Sequence, residues 1–265
     1  MSIVILVGGP SSQGSAEHRY LVQAFLDRFG DSVAKILTTN PPQRSLLTKV
    51  KRTLKRGQYR ERVARALYKK PYGPDPSELQ SNLFPEDAPE QMPGGDRVVC
   101  VDSHNSADCE LLLQQLKPKV IVVYGTAIIR EHIFSQASIV TLNMHTGLSP
   151  YYRGDSTLFW PVYFNDPEHL GVTVHKIAAN VDGGDIVYTG KVTYEPGDSE
   201  AALFAKGVKI GSELYLQAVQ EALDNTIVYH PQDLSIGQEF RWIHRTVAAE
   251  KKVLEMLDKW SKKPT

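Results

Sequence analysis

Residues 141–154 read Thr-Leu-Asn-Met-His-Thr-Gly-Leu-Ser-Pro-Tyr-Tyr-Arg-Gly. Asn143 and His145 stand two apart, so on a strand their side chains leave the same face. An amide donor beside a proton-carrying imidazole suits one kind of chemistry, holding a developing oxyanion while a proton moves. Further along, Asp182 opens Asp182-Gly183-Gly184, a turn signal between two alternating runs, from where a carboxylate can reach the histidine. Such a partner favours the charged imidazole. On residue types alone a plainer reading stands beside this one: Asn143 and His145 end a strand, and Asp182 forms a turn.

Other chemistries find less support. In Gly8-Gly9-Pro10-Ser11-Ser12-Gln13-Gly14-Ser15 the glycines at 9 and 14 have phosphate-loop spacing, but Ser15 stands where that loop needs lysine. G-x-G-x-x-G is also missing, so the segment reads as a strand-to-helix connection. The eight histidines form neither H-E-x-x-H nor a His-x-His pair, and no metal is expected. Cys100 and Cys109 give no C-x-x-C, and G-x-S-x-G is absent.

The elements that must position Asn143 and His145 alternate strand and helix. Strands are expected at Ile3–Val7, Val33–Leu37, Val98–Val101, Val120–Tyr124 and Ile139–Met144. Helices are expected over Ala16–Phe29, from about Ser106 to Leu116, and near Arg130–Phe134. β-branched runs without alternation suit strands buried on both faces, and the β-α-β order points to a mostly parallel sheet flanked by helices. Ligands in such sheets sit beyond the carboxyl ends of the strands, where Asn143 and His145 fall. After Pro150 the pattern changes. Gly171–Ala178 and Asp185–Tyr194 alternate as strands, Ser199–Leu223 is the longest clean helix, Ile227–Tyr229 is strand-like, and Val247–Trp260 is helical.

Some 60 residues separate the second and third expected strands, far beyond an ordinary connection. Residues 44–70 hold eleven Lys or Arg against one acid, with helical spacing of Leu46, Leu47, Val50, Leu54, Val63, Ala64 and Leu67. Residues 71–95 hold five acids and six prolines and read as an extended surface loop. Two readings of the basic part stay open, a solvated face and a positive field that tunes affinity for an anionic substrate through Lys51, Arg52, Lys55 and Arg56.

Composition sets the outer bounds. Of 265 residues, 42% are apolar and 23% charged, and thirty bases cancel thirty acids. That excludes wholesale disorder and fibrous classes and argues against bulk nucleic-acid binding. Two cysteines are too few for a disulfide framework, and no apolar run approaches the roughly 18 residues of a membrane span. Ile3–Val7, without a basic lead-in, reads as a strand and not a signal peptide. A reduced, soluble, cytoplasmic protein is expected.

Asn143-x-His145, then Gly-Leu-Ser-Pro-Tyr-Tyr-Arg-Gly (147–154), Gly-Val-Thr-Val-His (171–175) and Val-Asp-Gly-Gly-Asp-Ile (181–186) resemble the folate-dependent formyltransferases. That family includes the glycinamide ribonucleotide, methionyl-tRNA and sugar-nucleotide N-formyltransferases. The resemblance covers about residues 98–223, with a His-to-Asp interval of 37. Many members have Ser-Leu-Leu-Pro where this chain has Gly-Leu-Ser-Pro, a departure that touches loop packing more than the three polar residues. The resemblance implies an α/β, Rossmann-like formyltransferase domain over 1–223, with its insertion at about 44–95 and a short C-terminal extension over 224–265. It implies Asn143, His145 and Asp182 as catalytic residues. It also implies 10-formyltetrahydrofolate as co-substrate, held near Gly125, Ile128 and Arg130 on one side and the Asp182 turn on the other.

The acceptor implied is a small-molecule amine, a nucleotide-linked amino sugar before others. The compact C-terminus and His18-Arg19-Tyr20 look like the sugar-modifying group. A purine precursor, methionyl-tRNA and simple hydrolysis of the formyl donor are the alternatives. Nucleic-acid and membrane partners are not favoured, and a homodimer stays open as the assembly.

Overall fold

The computed structural model describes residues 2–10, 14–40, 59–68 and 73–262. β1 (Ile3–Pro10) is an interior strand, its apolar side chains dividing between two layers. Ile3, Ile5 and Val7 pack under α1 (Ala16–Phe29), and Val4 and Leu6 face the opposite side. β2 (Val33–Thr39), β3 (Val98–Val101), β4 (Val120–Tyr124) and β5 (Val140–His145) run parallel to it. β6 (Tyr152–Gly154) leaves the sheet, after which β7 (Gly171–Lys176) and β8 (Ile186–Lys191) extend it antiparallel. The order is β3-β2-β1-β4-β5-β7-β8, and the chain reverses its direction of sheet growth between β1 and β4. That reversal opens the crevice in which α/β sheets hold ligands.

Residues 44–70 are described only over α2 (Tyr59–Tyr68); Leu46, Leu47, Val50, Leu54 and the four bases Lys51, Arg52, Lys55 and Arg56 lie outside the described residues. Within α2, Val63 and Leu67 are 43% and 76% exposed, so they do not face the described core. The expected surface loop at 71–95 is corrected by α3 (Pro76–Leu83). Asp75 caps it by accepting from the Ser77 and Glu78 N–H groups at 3.0 Å, and Pro76 begins it. Leu79 and Leu83 are buried, and Arg19 ties α3 to α1 through Gln80 Oε1 at 2.7 Å.

α4 (Ala107–Leu116) and α5 (Glu131–Phe134) cover the face that holds Val4, Leu6, Ile121 and Val123. α6 (Phe159–Phe164) follows β6, and α7 (Glu200–Leu223) crosses the other face with Ser199 as its cap. Tyr215 of α7 is wholly buried, and its hydroxyl accepts from Val123 N–H at 2.8 Å and donates to Leu142 C=O at 2.6 Å. One side chain thereby bridges β4 and β5. Ile227–Tyr229 forms no strand; only His230 bridges to Ile186, at 2.8 Å in both directions. β9 (Gln238–Phe240) then pairs with β6, and α8 (Val247–Ser261) packs on α6 around Trp160, Phe240, Val253 and Trp260. No helix among the described residues is long and apolar enough to cross a membrane.

Candidate active site

β5 alternates Val140, Leu142 and Met144 toward α7, which sends Thr141, Asn143 and His145 to the α5 side. Its antiparallel neighbour β7 brings His175 into register with Asn143. Asn143 Nδ2 lies 3.1 Å from His175 Nε2 and 3.5 Å from Asp182 Oδ1. His175 Nδ1 donates to the Lys176 carbonyl at 2.9 Å, which leaves Nε2 as the acceptor of the amide. His145, 6% exposed, has oxygens at both ring nitrogens: Nε2 donates to the Tyr152 carbonyl at 3.0 Å, and Nδ1 is 3.4 Å from Asp182 Oδ2. A neutral ring carries one N–H, so these surroundings are complete for the imidazolium.

Asp182 sits in the β7–β8 turn with φ +47, a left-handed conformation that carries its carboxylate back over β5 and β7. Its Oδ2 accepts from Gly154 N–H at 2.8 Å. Burial alone would push this carboxyl up. The charge of His145 and the Gly154 N–H reverse that and hold it well below the usual carboxylate range.

These side chains line a cavity of about 510 Å³, within the range of small-molecule sites. Val123, Tyr124, Ile129, Ile177 and Phe204 supply apolar walls, and Glu200 and Arg245 close another side. Arg245 is buried, with Nη1 2.7 Å from Glu200 and Nε 2.8 Å from Glu250, and its guanidinium lies 4.0 Å from the Phe159 ring centroid. The Gly125–Ile129 segment forms the rim next to β4. Gly125 has φ +62, and a Cβ there would stand 2.3 Å from His18 Nε2, so glycine is required twice over.

The structure brings Asn143, His145 and Asp182 together and places Gly125 and Ile128 on the cavity lining. Arg130 is not brought there. Its N–H donates to Asn105 Oδ1 at 2.8 Å and its carbonyl accepts from Ile133 and Phe134, so its backbone groups start α5 and do not line the cavity. Asn105 also donates to Ile128 C=O at 2.9 Å and so holds the rim at its C-terminal end.

The profile of the formyl transferase family matches residues 77–219, more than half of the chain. This protein belongs to the formyl transferase family. Methionyl-tRNA formyltransferase of Chlorobium chlorochromatii is 29% identical over 137 residues, covering 52% of this chain and 43% of that protein. The chain thus spans less than half the length of such curated relatives. Phosphoribosylglycinamide formyltransferase of Anaplasma phagocytophilum superposes with a TM-score of 0.54 at 16% identity, covering 91% of this chain and 99% of that one. The N-formyltransferase of Helicobacter canadensis, in complex with folinic acid and dTDP-3-aminofucose, superposes with a TM-score of 0.54 at 15% identity, covering 91% and 71%. These likenesses concern the fold, the Rossmann-like architecture of formyltransferases.

Two cavity residues of this family member, His175 and Arg245, were not singled out from the sequence. His175 lies within the 171–175 block, but its partnership with Asn143 depends on the β5–β7 register. Arg245 lies outside the matched family region and is read only from the structure.

Proposed function

We propose that this protein transfers a formyl group from 10-formyltetrahydrofolate to a primary amine, the acceptor being the amino group of a nucleotide-linked amino sugar. The observation that carries this reading is the convergence of Asn143, His145 and Asp182 on one cavity wall at the carboxyl end of β5. Family membership supports the reaction class, and the ligands of the Helicobacter canadensis structure support the donor and acceptor classes. The balance of thirty bases and thirty acids supports a small acceptor over tRNA. Residues 1–223 are assigned to the catalytic domain and 224–265 to an extension.

The cavity fits the donor. A flat heterocycle needs apolar faces and backbone partners at its edge, and the Gly125–Ile129 rim with Val123, Ile129 and Ile177 offers both. The co-substrate supplies the formyl group. Asn143 keeps one N–H on His175; the other, at 3.5 Å from Asp182, is loosely held and turns to the formyl oxygen as it gains charge. His145 offers that oxygen a fixed positive charge. A carboxyl held as low as Asp182 is a weak base, so its first duty is to keep His145 charged. Directly or through water, Asp182 also helps pass the proton of the attacking amine to the leaving nitrogen of the folate.

Purified protein is incubated with 10-formyltetrahydrofolate and a panel of amino-sugar nucleotides, glycinamide ribonucleotide and methionyl-tRNA, read by mass gain of one formyl group. Formylation of a sugar nucleotide is the expected result. Formylation of another panel member alone would replace the acceptor, and rapid donor loss without any amine would indicate a hydrolase.

A further inference from the structure

The segment from His230 to Phe240 lies beyond the matched family region, yet it holds the Asp182 turn from several sides. His230 bridges to Ile186 at the base of β8. Gln232 Nε2 donates to the Asp182 carbonyl at 3.0 Å and also to the Gly184 carbonyl. Both partners are acceptors, which fixes the amide with its nitrogen inward. Leu234 packs against Gly183, where an added Cβ would come within 3.0 Å of its Cδ1. Further on, β9 pairs with β6 in the register Tyr152↔Gln238, Arg153↔Glu239 and Gly154↔Phe240. Gly154 has φ +89, and a Cβ on it would stand 2.1 Å from the Phe240 carbonyl, so the two backbones are in close contact. Gly154 is also the residue whose N–H binds the Asp182 carboxylate at 2.8 Å.

We infer that residues 230–240 are a positioning device for Asp182, with Gln232 as the residue that fixes its main chain and β9 as the support of the N–H that fixes its carboxylate. The inference rests on the formyl-transfer reading only for its effect on rate. The left-handed conformation at Asp182 costs energy in a residue other than glycine and persists where surrounding bonds over-determine it. Gln232 supplies two of those bonds. Without them the turn relaxes, and the carboxylate moves off His145 Nδ1 and His175 Nε2, from which it is now 3.4 and 3.5 Å. Gln232 does not line the cavity and is not itself catalytic.

The test compares Gln232→Met and Gln232→Glu, which keep the side-chain length and lose the donors, with wild type and Asp182→Asn. Histidine-selective ¹⁵N NMR is the first readout. The His145 and His175 signals are expected to move toward their positions in Asp182→Asn, while that of His104, bound to the Leu37 carbonyl at the end of β2, stays in place. Steady-state kinetics are the second, with kcat down about 10- to 100-fold, the range for partners that orient a working group, and donor KM within about twofold. Unmoved His145 and His175 signals in a folded variant overturn the inference. Moved signals in a protein that formylates no amine sustain it and overturn the formyl-transfer reading instead. Should neither Gln232 variant fold, Leu234→Ala is measured the same way, with the same outcomes.

Discussion

Asn143 and His175 oppose one another across the antiparallel pair of β5 and β7, with Nδ2 3.1 Å from Nε2. Because His175 Nδ1 is committed to the Lys176 carbonyl, the ring presents a lone pair to the amide and dictates which way Asn143 turns. His175→Leu is expected to lower kcat by about 10- to 100-fold with donor KM little changed, as partners that orient a working group do. Wild-type kcat in this variant would show that Asn143 is oriented by something else.

His145→Asn and Asp182→Asn remove the fixed charge and its counter-ion. Each is expected to lower turnover by about 100- to 10,000-fold, the combined range for loss of an oxyanion partner or a proton-handling group. Circular dichroism and donor binding should stay near wild type, since the Gly125–Ile129 rim is untouched and the main chain of the Asp182 turn keeps its bonds to Gln232. A near-wild-type rate with donor still bound would remove both from the catalytic assignment.

Asp182 also sets a dependence of stability on pH. Its folded-state pKa lies below its unfolded one, so the folded protein binds this proton less tightly. The stabilisation is therefore complete above the ordinary carboxylate range, roughly pH 5 and higher, and is lost as pH falls through the folded value. Urea midpoints should show wild type above Asp182→Asn at pH 7, with the gap closing toward pH 3. A gap that widens on acidification would contradict the pairing with His145.

Much of the architecture was legible because local pattern decides it. The β-branched run Val120–Tyr124 and the helix Ala16–Phe29 ended by Gly30 have the bounds that periodicity and capping indicate. Long-range pairing was not legible. Alternation marks β7 as a strand but says nothing of its lying antiparallel beside β5, and that register alone puts His175 on Asn143. Six prolines at 71–95 hid an ordinary helix start at Asp75-Pro76, whose worth lies in Leu79 and Leu83 reaching α1 and α7. Arg130 looked well placed beside the Gly125 rim, and Asn105, 25 residues earlier, takes its N–H.

Gly125→Ala tests the rim. At φ +62 an alanine is strained, and its methyl would meet His18, whose ring on α1 is buried against Tyr124. A cost of about 1–3 kcal/mol in urea unfolding is expected for such a conformation. Donor affinity should fall as well, because the rim must shift to relieve the contact. Unchanged donor binding in a destabilised variant would mean that the rim serves the fold and not the co-substrate.

Tyr215→Phe tests how β4 and β5 are held at the depth from which the site is built. The hydroxyl satisfies Val123 N–H and Leu142 C=O in a place with no access to water. Phenylalanine fills nearly the same space and leaves both groups facing a ring edge. The expected loss is about 1–3 kcal/mol, the cost of stranding a buried polar group. Tyr188→Phe is the control, since its hydroxyl binds Glu221 and Gln217 near the surface of α7, and a change within about 0.5 kcal/mol is expected there. Val123 and Leu142 directly precede Tyr124 and Asn143, so a spread between the strands reaches the cavity at once. Donor KM should therefore rise in Tyr215→Phe and not in Tyr188→Phe. Equal stability of the two variants would show that the β4–β5 ladder closes without the tyrosine.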